Sequence, residues 1–155
     1  MDDQYEQLAK GDLSNITTYQ AGALQAAVNR SLQKCSDRVL KQFGITKMHW
    51  LVIGAVLDAG EKGIRITELA KILSTTLPYM TNVINALEKQ QVVTRQEGQD
   101  NRSKTIVMDP AFAEMCPRIE KALRDALREA VYKHIDPQDF RVYMKVLHQL
   151  SKLEY

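Results

Sequence analysis

The sequence predicts a mainly α-helical protein with one small antiparallel β-hairpin. Apolar residues recur at helical spacing along most of the 155 residues. Two runs rich in β-forming residues, 92–94 and 104–108, enclose a polar loop that contains a glycine. Before them, residues 67–89 contain two short amphipathic segments joined by a polar turn. This order of elements is typical of a winged helix-turn-helix, and the remaining helices predict a second, helical lobe for dimerisation.

Two helices are expected before the helix-turn-helix. The first follows Ser14, a plausible N-cap, and ends near Gly44, because glycine readily adopts the left-handed conformation that closes a helix. Thr46 is expected to cap the second helix, which is strongly apolar and ends at 58–60. The apolar stripe of the first helix has spacings of three and four residues and consists of Leu24, Val28, Leu32, Cys35 and Val39.

The helix-turn-helix itself begins with a short strand at 64–66, which is expected to pair with the hairpin. Thr67 is expected to cap the first helix, 67–73, and Thr76 the second, 77–89, whose first turn contains a proline. The serine and threonines between them compete for backbone hydrogen bonds and end the first helix. The stripe that predicts the buried face of the second helix consists of Met80, Val83, Ile84 and Leu87.

The C-terminal part predicts two further helices. Asp109, followed by a proline, opens a long helix that reaches about His134, and Pro117 is expected to kink it or delay its regular start. Asp136, also followed by a proline, opens the last helix.

We expect one domain, 1–155, with a winged helix-turn-helix lobe at 46–108 and a helical dimerisation lobe formed by 13–45 and 109–155. The terminal helices cannot all bury their apolar stripes on one small winged helix, and a second copy is the simplest cover. The expected dimer contacts are Leu13, Ile16, Val131, Ile135, Phe140, Tyr143, Leu147 and Leu150.

Composition narrows the class of protein. The 45% of apolar and 26% of charged residues are typical of a globular protein, and no apolar run approaches the roughly 18 residues of a membrane span. The acidic, polar start is unlike a signal peptide, so a cytoplasmic location is expected. No nucleophile–base pair, Gly-rich phosphate loop or metal-binding cluster occurs, which predicts no enzyme, no cofactor and no metal site. Cys35 and Cys116 stand far apart and predict no disulfide framework.

Several features point to duplex DNA as the partner. The net charge is only +2, but residues 62–104 carry seven basic against four acidic residues. The outer face of the second helix offers short polar side chains that suit base edges in a major groove, although a solvated surface has the same composition. On the hairpin, Arg102 and Lys104 can reach phosphates or a minor groove, and Asp100 can hold Arg102 in place.

The same residues resemble the multiple-antibiotic-resistance regulator (MarR) family. The resemblance covers about residue 24 to the C-terminus and is carried by Glu68-Leu69-Ala70, Pro78-Tyr79-Met80-Thr81, Leu87-Glu88 and the hairpin motif Asp100-Asn101-Arg102-Ser103-Lys104. It implies a homodimeric transcription regulator, usually a repressor, that binds a pseudo-palindromic operator in double-stranded DNA and is released by a small-molecule effector. The residues expected to contact DNA are Thr75, Thr76, Pro78, Tyr79, Thr81, Asn82, Asn85, Arg95, Asp100, Arg102 and Lys104. The residues expected to line an effector pocket are Tyr19, His49, Trp50 and Arg118.

The chain departs from the family pattern in three respects. Ser74 stands where glycine is common, Thr75 stands where a small apolar residue is common, and the recognition helix has no basic residue before Lys89. The missing basic residue leaves a non-specific architectural DNA-binding protein as one alternative, and the low net charge leaves a protein-interaction module as another. A redox-sensing regulator that acts through Cys35 is a third, although a cysteine in an apolar stripe is more often structural.

Overall fold

The computed structural model describes residues 14, 16–98 and 103–153, and this part of the chain divides after Lys34 into two compact units. Its regular elements are α1 (Thr18–Leu40), α2 (Lys47–Ala59), α3 (Ile66–Ile72), α4 (Leu77–Lys89), β1 (Val93–Glu97), β2 (Lys104–Met108), α5 (Pro110–Ala113), α6 (Cys116–Ala130) and α7 (Pro137–Leu150), with 3₁₀ turns at Lys41–Phe43, Gly60–Lys62 and Tyr132–His134. The mainly helical architecture with a small antiparallel hairpin is the one predicted. None of these helices is long and apolar enough to cross a membrane.

The N-terminal unit contains most of α1, which begins at Thr18 and not directly after Ser14 as predicted. Thr17 provides the cap, because its Oγ1 accepts a hydrogen bond from the Gln20 backbone N–H at 3.2 Å. In return, the Thr17 backbone N–H donates to Gln20 Oε1 at 2.9 Å. This reciprocal capping box satisfies two of the backbone donors that a helix start leaves unpaired, and it fixes the first turn later than expected.

The core of the second unit is built around α2. Val52 and Ile53 are fully buried, and α2 contacts both α4 and β2. Thr46 caps this helix as predicted, with its side chain accepting from the His49 N–H at 3.2 Å. Gly44 closes the preceding 3₁₀ turn at φ +70°, also as predicted, because glycine adopts this left-handed conformation without steric cost.

The first helix of the helix-turn-helix is shifted from its predicted start. Arg65, not Thr67, is the N-cap of α3, because Glu68 at the third helical position accepts from the Arg65 backbone N–H at 3.3 Å. Ser74 in the following turn has φ +49°, a left-handed conformation that favours glycine.

The second helix of the helix-turn-helix, α4, matches its predicted bounds. Thr76 caps it, and its side chain accepts from the Tyr79 N–H at 3.4 Å. Pro78 lies in the first turn, where a missing N–H costs no helical hydrogen bond. The predicted stripe is confirmed as the buried face of α4 and consists of Met80, Val83, Ile84 and Leu87. The opposite face of the helix is therefore left toward solvent.

The hairpin pairs β1 with β2 in an antiparallel register that runs from Val93 opposite Met108 to Glu97 opposite Lys104. The strand predicted at 64–66 is reduced to a single bridge, because α3 already begins at Ile66. In that bridge Ile64 exchanges two backbone hydrogen bonds with Ile106, at 3.0 and 2.8 Å. These bonds attach the hairpin to the helical core.

The long helix predicted after the hairpin is split into two. Asp109 caps α5 as predicted and accepts from the backbone N–H groups of Ala111 and Phe112 at 2.9 and 3.3 Å. A break follows, and α6 begins at Cys116 with Pro117 in its first turn, so the proline delays the regular start rather than kinking a continuous helix. The end predicted near His134 is also wrong, because α6 stops at Ala130 and a 3₁₀ turn takes over.

The last helix, α7, begins where predicted. Asp136 caps it and accepts from the Gln138 N–H at 2.7 Å. No residue of α7 is buried, although half of its side chains are apolar.

Candidate nucleic-acid interface

The outward face of α4 presents the polar residues that the sequence assigned to DNA. Pro78, Tyr79, Asn82 and Asn85 are exposed, and Thr81 is half-buried between them. Because Met80, Ile84 and Leu87 are fully buried on the other side, the helix cannot rotate about its axis without exposing its apolar stripe. The core therefore fixes which side chains face a partner.

Thr81 is constrained further by its own helix. Its hydroxyl donates a hydrogen bond to the Leu77 carbonyl oxygen at 2.9 Å. With the proton used in this way, the hydroxyl presents only lone pairs and the side chain a methyl group. Thr81 can thus accept from a base amino group or contact a thymine methyl.

Arg95 on β1 does not extend into solvent. Its guanidinium forms an ion pair with Glu88 of α4, and its Nη2 donates to Asn85 Oδ1 at 2.7 Å. The Arg95 side chain is only 25% exposed. The structure thus brings two predicted DNA contacts, Asn85 and Arg95, into direct contact with each other, and Glu88 is a residue of this site that the sequence analysis missed. Arg95 and Glu88 are seven positions apart and lie on two different elements. Neither helical nor strand periodicity predicts contact between such residues.

The remaining predicted contacts lie on the turn and the hairpin. Thr76 is exposed and Thr75 half-buried at the start of α4, and Lys104 is exposed at the start of β2, across from Glu97. Asp100 and Arg102 lie outside the described residues, as does Leu13 of the expected dimer contacts.

A separate cavity of about 400 Å³ lies within the second unit. Its walls are mostly apolar, with basic side chains among them, and are formed by Ser36, Leu40, Lys47, Trp50, Leu51, Glu120, Leu123, Arg124, Leu127, Arg128, Tyr132 and Phe140. Arg124 is paired with Glu120 at 2.8 Å, whereas the described structure gives Lys47 and Arg128 no carboxylate partner within ion-pair distance. Burial, with a smaller contribution from Tyr143, raises the pKa of Tyr132, which therefore remains a protonated donor.

Only one of the predicted effector-pocket residues, Trp50, lines this cavity. Arg118 is exposed on α6, and Tyr19 is 81% exposed in the N-terminal unit. His49 is half-buried with its Nδ1 lacking a hydrogen-bond partner among the described residues, and burial lowers its pKa. From the sequence, the basic residues of α6 were interpreted as a solvated face. Their i, i+4 spacing from acidic residues fits exposed ion pairs as well as it fits the wall of a cavity.

The two cysteines are both free and both buried, at 6% exposure for Cys35 and 5% for Cys116. Burial raises the pKa of Cys116, whose thiol donates weakly to the Phe112 carbonyl at 3.5 Å. A buried, protonated thiol is a poor nucleophile, so the environment of Cys116 favours a structural role.

Comparisons with known proteins agree with this geometry. Residues 60–104 match the model of the MarR family, while no curated protein matches the chain. Among solved structures, the chain is similar to CouR from Rhodococcus jostii bound to p-coumaroyl-CoA, at 13% identity and a TM-score of 0.77 over 87% of this chain and 94% of that one. It is also similar to a cysteine-to-serine mutant of MarR from E. coli complexed with operator DNA, at 21% identity and a TM-score of 0.74 over 83% and 91% of the two chains.

A third similar structure is the S. aureus MepR–DNA complex, at 18% identity and a TM-score of 0.72 over 90% of this chain and all of that one. These likenesses span nearly the whole of each known chain and concern the fold, whereas the match of residues 60–104 concerns the sequence. The resemblance seen in the sequence is therefore confirmed: the chain carries the MarR-family sequence pattern in residues 60–104 and has the winged helix-turn-helix fold of MarR-family transcriptional regulators.

Proposed function

We propose that this protein is a homodimeric transcription regulator, a repressor, that binds a pseudo-palindromic operator and is released by a small molecule. The observation that carries the proposal is the polar outer face of α4, held outward by a buried stripe and flanked by the hairpin that carries the exposed Lys104. Two of the structurally similar proteins were solved in complex with DNA, which supports a DNA partner for the same face.

In this proposal each protomer inserts α4 into a major groove and its hairpin into the adjacent minor groove. Thr81, Asn82 and Asn85 read base edges, while Arg102, oriented by Asp100, enters the minor groove. Phosphate contacts supply much of the affinity and make it salt-dependent. Each well-placed base contact contributes about 1–3 kcal/mol of discrimination.

The dimer is supported by the apolar surface of α7. Val142, Leu150 and Leu153 are each more than half exposed, and the predicted contacts Ile135 and Leu147 are exposed as well. Monomeric proteins rarely expose a contiguous apolar surface of this kind, and a second copy related by a twofold axis would cover it. The other predicted contacts in the second unit, Val131, Phe140 and Tyr143, are half-buried.

The effector is proposed to occupy the cavity beside Trp50. Its volume suits a small organic molecule, and Lys47 and Arg128 give its rim a positive charge. One structurally similar protein was solved with an acyl-CoA thioester bound. A ligand with higher affinity for one spacing of the two recognition helices would shift the dimer toward that spacing and release the operator.

The test is a selection of bound duplexes from a random library at physiological salt, with Arg102→Ala and Lys121→Ala compared in parallel. Lys121→Ala removes the same charge from α6, where the side chain is 78% exposed and far in sequence from the hairpin. We expect an inverted repeat with half-sites about one helical turn apart, weakened by Arg102→Ala and unchanged by Lys121→Ala.

Other outcomes would refute the proposal in different ways. Binding without enrichment would indicate an architectural DNA-binding protein, and no binding at any salt concentration would indicate a protein-interaction module. Sedimentation at micromolar concentration tests the dimer separately, and a monomer mass would contradict it.

A further inference from the structure

We propose that Arg95 is a positioning residue that fixes the Asn85 side chain so that only its amide N–H groups face the DNA. The recognition helix would then require a hydrogen-bond acceptor at the base that Asn85 contacts, and would select a keto base, guanine or thymine, over adenine or cytosine. This inference rests on the proposed function, because it assigns the polarity of one contact within that DNA-reading face.

The geometry begins with the guanidinium of Arg95. It lies between α4 and β1, bonded to the Glu88 carboxylate and, through Nη2, to Asn85 Oδ1 at 2.7 Å. The ion pair with Glu88 is partly shielded from solvent, with the two side chains 25% and 38% exposed. Charge-assisted bonds of this kind are stronger than neutral ones, so Glu88 holds the guanidinium where Asn85 meets it.

The identity of the arginine decides which end of the Asn85 amide points inward. A guanidinium has five N–H donors and no acceptor, so it can bond only the oxygen of a neighbouring amide. Asn85 Oδ1 is therefore directed toward Arg95, and Nδ2, with its two donors, is left to face outward. Within the described residues, Nδ2 has no hydrogen-bond partner of its own.

This orientation disfavours the contact by which asparagine usually recognises adenine. That contact is bidentate and requires the amide oxygen to accept from the adenine N6 amino group while Nδ2 donates to N7. Here Oδ1 is turned toward Arg95 and already accepts from the guanidinium, so the adenine N6 amino group would have to use its second lone pair beside a positively charged donor. Guanine offers O6 and N7 and thymine offers O4, all of them acceptors that match Nδ2.

Thr81, one turn earlier on the same face, has the opposite polarity. Its hydroxyl proton is used on the Leu77 carbonyl at 2.9 Å, so it offers lone pairs and a methyl group. The face thus presents an acceptor and a methyl at Thr81 and donors at Asn85. The two residues would favour different bases, and only the preference at Asn85 depends on Arg95.

The test compares duplex selections for wild type, Asn85→Ala, Arg95→Met and the double variant. The operator position whose preference is lost in Asn85→Ala identifies the base that Asn85 contacts. We expect guanine or thymine there in wild type. Arg95→Met frees the amide to rotate, so adenine should gain about tenfold relative to the wild-type base at that position alone. Because Arg95 acts through Asn85, the double variant should match Asn85→Ala.

Lys104→Met is the matched control, since it removes the same charge from the same hairpin. It should weaken binding to all sequences about equally and reduce the salt dependence by the equivalent of about one phosphate contact. Arg95→Met leaves the Glu88 carboxylate unpaired and lowers the net charge by one, so the variant expected to leave the salt dependence unchanged is Arg95→Met/Glu88→Gln, which keeps the net charge. If Arg95→Met fails to fold by circular dichroism, Arg95→Lys replaces it. A lysine cannot reproduce the planar fork, so the same position should relax to a smaller extent.

The failure of this inference is distinct from the failure of the proposed function. If the wild-type protein selects no sequence from the library, both the proposed function and this inference are refuted. With a selected inverted repeat, the inference alone is refuted by adenine at the Asn85-dependent position, by an unchanged preference in Arg95→Met, or by a loss spread evenly over all positions.

Discussion

Replacement of Gly63 by alanine is expected to weaken the attachment of the hairpin to the helical core. Gly63 has φ +66° and ψ −178°, a combination that is essentially restricted to glycine. A Cβ built at this position would lie 2.7 Å from the Ile106 carbonyl oxygen and 2.9 Å from Thr105 Oγ1. The first of these atoms is backbone and belongs to the bridge between Ile64 and Ile106, so it cannot move without disturbing that bridge.

The expected loss of stability follows from these contacts. The strained backbone conformation costs about 1–3 kcal/mol for a residue other than glycine. Displacement of the bridge breaks or lengthens two backbone hydrogen bonds of 3.0 and 2.8 Å, at about 0.5–1.5 kcal/mol each. Together they predict a decrease in the free energy of unfolding of about 2–6 kcal/mol, a large part of the total stability of an ordinary domain.

Urea unfolding at a fixed protein concentration measures this difference, since oligomerisation makes stability depend on concentration. Gly54→Ala is the matched control: its Cβ would meet nothing within 4 Å in the middle of α2, so alanine should raise stability by about 0.5–1 kcal/mol. If Gly63→Ala unfolds within about 0.5 kcal/mol of wild type, the bridge does not hold the hairpin as described and the reasoning is refuted.

Three further predictions concern groups outside the hairpin. Burial lowers the pKa of His49 below its ordinary 6.5, so the unfolded chain binds the proton first as the pH falls. The wild type should therefore lose stability as the pH falls from 6.5 to the lowered pKa. Urea titrations at pH 7.5 and 5.5 should show a smaller loss of stability for His49→Gln than for the wild type. Asp109→Ala should cost about 1 kcal/mol by removal of the α5 cap, whereas Asp109→Asn should cost little; equal losses in thermal unfolding would contradict the cap. In the Cys35→Ser variant, Cys116 is the remaining thiol, and its burial and raised pKa should protect it in the folded protein. A disulfide reagent at pH 7 should label the folded protein at least about tenfold more slowly than the urea-unfolded chain. Equal rates would show that the thiol is accessible.

The features that the sequence predicted well are those set by local periodicity and capping. The buried stripe of α4 repeats at helical spacing, and Thr76 precedes it with a side chain that can cap only the helix that follows. The second strand of the hairpin, Lys104–Met108, coincides with its run of β-forming residues, whereas the first strand continues to Glu97, beyond the run that ends at Thr94. These signals depend on neighbours within about four positions, so a single amino-acid sequence is enough to show them.

The errors arose where two local signals competed. Thr67 is a better N-cap by residue type than Arg65, but Glu68 bonds the Arg65 N–H, and this backbone contact decides the start of α3. The long helix after Asp109 was predicted to be continuous because its apolar residues kept their spacing. The proline at 117 instead requires a helix start, and the chain breaks before it.

The candidate site was predicted only as a set of positions. Helical spacing identifies the outer face of α4, but it does not show that Asn85 bonds Arg95 or that Arg95 is paired with Glu88. Those contacts depend on where β1 lies against α4, which is a property of the tertiary fold. For the same reason the cavity walls beyond Trp50 were missed, because they come from several helices whose packing no spacing rule describes.

These contacts also bear on the absence of a basic residue in the recognition helix before Lys89. The guanidinium of Arg95 does reach this face from β1, but its charge is neutralised there by the ion pair with Glu88. A paired, part-buried guanidinium contributes little to the attraction of phosphates, so the salt-dependent affinity would fall to the hairpin and to the second copy of the chain. The helix is then left with neutral side chains whose hydrogen-bonding polarity is fixed by intramolecular partners, Leu77 for Thr81 and Arg95 for Asn85. Under the proposed function, affinity and selectivity then depend on different residues, and replacement of both Arg95 and Glu88 by neutral side chains can change which base is read without changing the net charge that attracts DNA.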